Sequence, residues 1–238
     1  MTPLLFAIAA AAGNLVGAFA VVRALRRELR VIDACLAFGA GFMLAVAVIG
    51  VLPEVMGDGL QGAGYVLGGY LAVHLAQHVF TPHFHFGEET HRVSASAGVS
   101  ALIGLTLHTF FDGVAIASGF LVSGSLGVLL FLAVLLHKLP EGVTIASVML
   151  AGGQSRRRAY AAAAALGLAT VLGVIITERV DALARHGLAL SAGVTLYVAA
   201  SNLVPEFQAK RGWLTAVAFF GGVVGFVLTE RLLERVGP

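Results

Sequence analysis

Eight predominantly apolar stretches divide this chain, at roughly 3–22, 33–53, 62–80, 97–121, 126–150, 159–177, 187–207 and 213–233. Each is about as long as a helix needs to cross the hydrocarbon of a bilayer, at a rise of about 1.5 Å per residue. In hydrocarbon every backbone amide must find a partner, and runs of this length, about twice what a spanning strand needs, are read as helices that satisfy their own. Composition supports the same solvent. Charged residues make up 12% of the 238, about half of what a soluble domain carries, and mean hydropathy is +0.93. The fold expected is therefore an all-α integral membrane protein. It has eight transmembrane helices in one polytopic domain, 1–238, with no linker or second domain. The first stretch lacks a basic leader and its arginines follow it, so it is expected to stay as a span rather than be removed.

Charge then orients the helices. Arg23, Arg26, Arg27, Arg30, Arg92, Arg156, Arg157, Arg158, Lys210 and Arg211 fall in the loops of one face, ten of the fifteen basic residues. Arg179, Arg185, Arg231 and Arg235 fall on the other, and Lys138 lies inside a span. Lys/Arg excess marks the cytoplasm, which puts both termini outside, in a bacterial inner (plasma) membrane. A sequence pI near 9.0 then reflects topology rather than nucleic-acid binding. The single cysteine, Cys35, excludes an internal disulfide framework and a thiolate metal cluster. Glycines spaced as in GNLVG (13–17) and GGVVG (221–225) suit close helix packing in lipid.

Two polar turns interrupt this apolar background. HTFFDGVAIAS (108–118) in span four returns 29 residues later as HKLPEGVTIAS (137–147) in span five. His108 and Asp112, like His137 and Glu141, stand at i and i+4, which stacks each pair on one helix face. If the faces meet, two imidazoles and two carboxylates converge, a sufficient set for a borderline divalent cation such as Zn²⁺. An ionisable group at mid-membrane costs about 2.5–3.5 kcal/mol, so four of them and Lys138 must be paired with each other, water or an ion. One such pair could be an interhelical clamp; two in matching register, with Gly, Val, Ile, Ala and Ser also repeated, favour a site. Gly113 and Gly142 would let another backbone or a file of water approach, and Pro140 removes a hydrogen bond to Leu136, which predicts a kink beside Glu141.

These motifs resemble the ZIP (Zrt-, Irt-like) family of divalent-metal transporters, of the prokaryotic type. That family carries H-[NS]-x-x-[DE]-G in span four and H-[ENK]-x-x-E, or a close variant, in span five. Here they read H-T-F-F-D-G (108–113) and H-K-L-P-E-G (137–142). Span two, AFGAGFMLAVAVIGVLPE (37–54), and span seven, LYVAASNLVPE (196–206), resemble the family's second and seventh helices. The resemblance implies a metal site between spans four and five, made by His108, Asp112, His137 and Glu141. Met43 is an additional, softer ligand by position, with core packing as its other role. Many members have a second metal bound by an Asn after the first His and an acid after the second. Thr109 and Lys138 occupy those positions, so one metal is expected. Lys138 would take the place of the second cation and neutralise Glu141, the alternative being a side chain that snorkels to an interface.

The resemblance further implies transport by alternating access, with an elevator-like movement, of zinc or of Fe²⁺, Mn²⁺, Co²⁺ or Cd²⁺ as cargo and no catalytic cofactor. Uptake is the expected direction; metal-bound groups must be deprotonated, so binding should weaken on acidification. Glu54, Asn202 and Glu206 are expected along the pathway or at its mouths, with ordinary interfacial carboxylates as the other reading. His83, His85 and His91, in a cytoplasmic loop over about 81–96, are a weak metal-capture signal, and His186 is read as plain surface. The partners expected are the metal ion and the bilayer, with a second copy of the chain allowed and no nucleic acid. Two other functions use the same residues: an intramembrane zinc hydrolase, which would need a general-base motif such as H-E-x-x-H, and a metal exporter.

Overall fold

The computed structural model describes residues 2–22, 29–79, 95–205 and 213–236, and within them every regular element is helical. The order is α1 (Pro3–Val22), α2 (Leu29–Ala45), α4 (Leu60–Val79), α5 (Ala95–Val122), α6 (Gly124–Ala151), α7 (Arg156–Thr177), α8 (Asp181–Leu196) and α9 (Trp213–Val236). Between α2 and α4 the helix widens into a π segment, π1 (Val46–Val51), and closes with the short α3 (Leu52–Met56). A second π segment, π2 (Tyr197–Leu203), continues α8.

Six of these stretches are long and apolar enough to cross a membrane: Pro3–Val22, Ala37–Met56, Leu105–Val122, Gly124–Leu150, Arg156–Thr177 and Trp213–Arg235. The chain is thus a multi-pass membrane protein. The third and seventh expected spans form helices too, but His74 and Gln77 dilute α4, while Asp181, Arg185 and His186 dilute the start of α8. Helix ends also overrun the apolar stretches, because backbone caps end a helix and hydropathy does not. Ser123 accepts the Leu126 N–H and opens α6 directly after α5; Ser155 accepts the Arg158 N–H and opens α7.

Helices α1, α5, α6 and α7 pack as a four-helix bundle, flanked by the pairs α2/α9 and α4/α8. Four of the helix crossings each bring two glycines together. A Cβ on Gly17 would lie 2.1 Å from the Leu139 carbonyl, and one on Gly142 2.1 Å from the Asn14 carbonyl, where α1 meets α6. Gly113 and Gly173 stand in the same relation where α5 meets α7, Gly41 and Gly222 where α2 meets α9, and Gly69 and Gly193 where α4 meets α8. No side chain fits at such distances, so the backbones gain contacts that any larger residue would forbid.

Inside the bundle two apolar clusters leave a level between them. Ala18, Leu105, Ile145, Met149 and Leu166 fill one end. Ala7, Ala10, Ile116, Val134 and Val174 fill the other. The two polar turns lie between, on α5 at 108–112 and on α6 at 137–141. Helix α6 runs through Pro140 without breaking. Leu136, whose carbonyl loses its partner to that proline, is met by Gly39 of α2, where a Cβ would be 3.5 Å from the oxygen.

Candidate metal centre

The repeated dipeptides Asp112-Gly113 and Glu141-Gly142 divide one task between neighbours about 100° apart on the helix. Each glycine faces outward to its crossing, Gly113 against α7 and Gly142 against α1. Each carboxylate turns instead to the seam between α5 and α6. The glycines therefore admit a backbone rather than a file of water, and in doing so fix the rotation of both helices.

On that seam His108, Asp112, His137 and Glu141 are all buried, and one ligating atom from each lies within 4.8 Å of the others. Asp112 Oδ2 is the hub, 3.5 Å from His108 Nε2 and 3.2 Å from His137 Nε2. The His137 ring is held from behind: its Nδ1 donates to the Ala133 carbonyl at 2.8 Å. A carbonyl only accepts, so the proton is on Nδ1, and a neutral ring presents the Nε2 lone pair to the Asp112 oxygen. Two such acceptors face each other favourably only with a proton or a metal cation between them. A ring fixed by a backbone carbonyl, with its other nitrogen aimed into a polar cluster, is also the usual setting of a metal-bound histidine.

Lys138 completes the cluster. Its Nζ is fully buried and donates to Asp112 Oδ2 and Glu141 Oε2, each at 2.7 Å. The side chain does not snorkel, and it engages both carboxylates rather than Glu141 alone. Thr109 is buried too, but its hydroxyl donates back to the Leu105 carbonyl of its own helix. Two atoms of the cluster, His108 Nδ1 and Glu141 Oε1, are buried without a hydrogen-bond partner. Both residues line a cavity of about 30 Å³, room for about two water-sized bodies, that continues to Gln77, Thr144 and Asn202.

The remaining expected residues are dispersed. Met43 is buried in the apolar cluster shared with Val46, Leu130 and Phe226. Glu54 is exposed in the first turn of α3, and Asn202 is half-buried in π2. Glu206, His83, His85 and His91 lie outside the described residues. His186 is not plain surface, since its ring stacks on Tyr65 at 4.2 Å between centroids. Sequence reasoning passed over Gln77 and Thr144 because nothing along the chain reveals which helix faces the cluster. It also passed over Asn14, fully buried in α1 at the Gly142 crossing with both amide atoms unpaired. Its signal, one amide inside an apolar run, was present within GNLVG.

A helical membrane protein that buries two imidazoles and two carboxylates on one seam, next to a small polar-edged cavity, has the donor set of a metal site at membrane depth. Residues 87–230, more than half of the chain and including both polar turns, match the model of the ZIP Zinc transporter family, and the chain belongs to that family. No curated protein matches it. It is accordingly a divalent-metal transporter and not an enzyme, which removes the hydrolase from consideration.

Proposed function

We propose that this chain takes up zinc into the cytoplasm by alternating access at one intramembrane site made by His108, Asp112, His137 and Glu141. The observation that carries this reading is the orientation of His137. A ring pinned to Ala133 turns Nε2 onto Asp112 Oδ2, the atom on which His108 also converges. Zn²⁺ accepts such nitrogen and oxygen ligands at about 2.0–2.2 Å, without demanding a geometry of its own. Iron(II), manganese, cobalt and cadmium are alternative cargo for the same set.

The topology that belongs to this reading has eight spans, with α4 and α8–π2 as the third and seventh, both termini outside, and the bacterial inner membrane as the location. Under it, Gln77, Thr144 and Asn202 stand on the cytoplasmic side of the cluster, so the cavity is a route of release. Asn202 and Glu206 flank that route, Glu54 stands at the outer mouth, and His83, His85 and His91 meet the ion in the cytoplasm. Met43 remains a softer additional ligand within the proposal, and a homodimer its proposed assembly.

Metal analysis of the purified chain, beside uptake of radiolabelled zinc into cells, tests the reading. The wild type should hold zinc and raise cellular zinc, less so as the medium is acidified. His137→Ala, and Asp112→Ala with Glu141→Ala, should lower both by tenfold or more. Retained binding and uptake in these variants rejects the site, and falling cellular zinc makes the chain an exporter.

A further inference from the structure

We propose that Lys138 is a resident cation of the metal centre, one that stays seated beside the bound ion and keeps the hold on it weak enough for release. The inference rests on the reading of His108, Asp112, His137 and Glu141 as the metal site, and adds what limits that site's affinity.

Three observations carry it. Lys138 Nζ is fully buried and bonded at 2.7 Å to one oxygen of each carboxylate. Glu141 spends only Oε2 on that bond, and its Oε1 is buried with no partner. Glu141 can therefore ligate through Oε1 while Oε2 keeps the ammonium, and loading the site does not require Lys138 to leave. Leaving would also be costly. The stem is backed by α1, where a Cβ on Gly13 would lie 3.0 Å from Lys138 Cβ, and an ammonium moved into that packing would lose both partners.

The electrostatics then follow from counting. Two carboxylates and one ammonium sum to −1, and a divalent ion brings the group to +1. Without the ammonium the same states would be −2 and 0. An ion on Asp112 Oδ2 would stand within about 5 Å of Nζ, close enough for strong repulsion at the low effective dielectric of a buried site. A carrier needs this, because a site that conducts must bind well enough to load and weakly enough to empty. A purely structural lysine, present only to pair the two carboxylates, predicts something different: its loss lowers folded yield and transport, without tightening the metal.

The experiment is zinc binding by the purified chain at mildly alkaline pH, with zinc flux in proteoliposomes, for wild type, K138M, K138Q and K138R. K138M and K138Q should bind zinc about tenfold more tightly or better. Their KM should fall and their maximal rate should fall with it, while K138R stays near wild type. An unchanged or weaker Kd in K138M or K138Q overturns the proposal and leaves the metal site standing. No zinc binding by the wild type overturns both. A second measurement needs no variant: amine acylation followed by mass spectrometry, with the peptide of Lys210, the chain's other lysine, monitoring the dose. Lys138 should remain unlabelled with and without zinc, and labelling that zinc induces would mean the ion displaces it, against the proposal.

Discussion

At the scale of single residues, the two polar turns are alike in sequence and unlike in duty. His137 is fixed by Ala133 and aimed at Asp112, whereas His108 makes only the longer 3.5 Å approach and leaves Nδ1 unpaired. Asp112 Oδ2 meets three partners and Glu141 Oε2 meets one. The asymmetry comes from position i+1, where Thr109 bonds its own helix and Lys138 reaches across the seam. With Lys138 bonded to both carboxylates, the room in which a second ion would share them is taken. The expected stoichiometry is one zinc per chain, read by metal analysis of the protein after exhaustive dialysis against trace zinc. Two equivalents, both lost in His137→Ala, would contradict this account of Lys138. The role of His137 also predicts an asymmetry between the imidazoles: His137→Gln should weaken zinc binding more than His108→Gln, by roughly 10-fold against a smaller loss, since only His137 has its second nitrogen held by the backbone.

At the scale of elements, the glycines decide more than the apolar residues do. Hydropathy established that helices span, and the i, i+4 spacing placed His108 with Asp112 and His137 with Glu141 on shared faces, because both signals are periodic along one chain. Which helices meet, and how closely, depends on partners remote in sequence. Gly113 and Gly142 were therefore visible as residues following a carboxylate, but their crossings with α7 and α1 were not. Gln77 was hidden for the same reason. The π segments were hidden for another: an inserted residue leaves hydropathy unchanged, and only Pro53 and Pro205, just beyond π1 and π2, hint at irregular backbone. The crossings make a contrast that can be measured. Gly142→Ala sets a methyl 2.1 Å from the Asn14 carbonyl, so α1 must move away from α6, at a cost of about 1–3 kcal/mol or more. Gly64→Ala, on α4 with nothing within 4 Å, should be neutral or gain about 0.5–1 kcal/mol from helix propensity. Thermal unfolding in detergent, followed by loss of the monodisperse peak, should separate the two variants; equal midpoints would mean that the α1–α6 crossing is not under this constraint.

At the scale of the whole molecule, the pattern of crossings repeats between α1, α2, α4 and α7, α8, α9, taken in the same order. Exchanging α1 with α7 and α5 with α6 turns the α1/α6 crossing into the α7/α5 crossing. Exchanging α2 with α8 and α4 with α9 turns α2/α9 into α8/α4. The same exchange maps π1 onto π2, each followed by a proline and a glutamate, Pro53-Glu54 and Pro205-Glu206. Under the proposed topology the exchanged helices run in opposite senses across the membrane, so π1 belongs to the outer half and π2 to the inner half. The π2 side holds the cavity of about 30 Å³ at Asn202, while a smaller space of about 10 Å³ lies beside π1 at Val46, Ser191 and Thr195. Under the proposed alternating access, a carrier whose two halves are related in this way would reach its second state by exchanging their roles, opening at π1 as it closes at π2. The state seen here should then admit solvent from the cytoplasm alone. With Cys35 replaced by alanine, Asn202→Cys should react with a membrane-impermeant thiol reagent in inside-out vesicles and resist it in right-side-out ones, and zinc should slow the reaction. Reaction from the outside only would reverse the assignment of faces, and with it the direction in which the ion leaves.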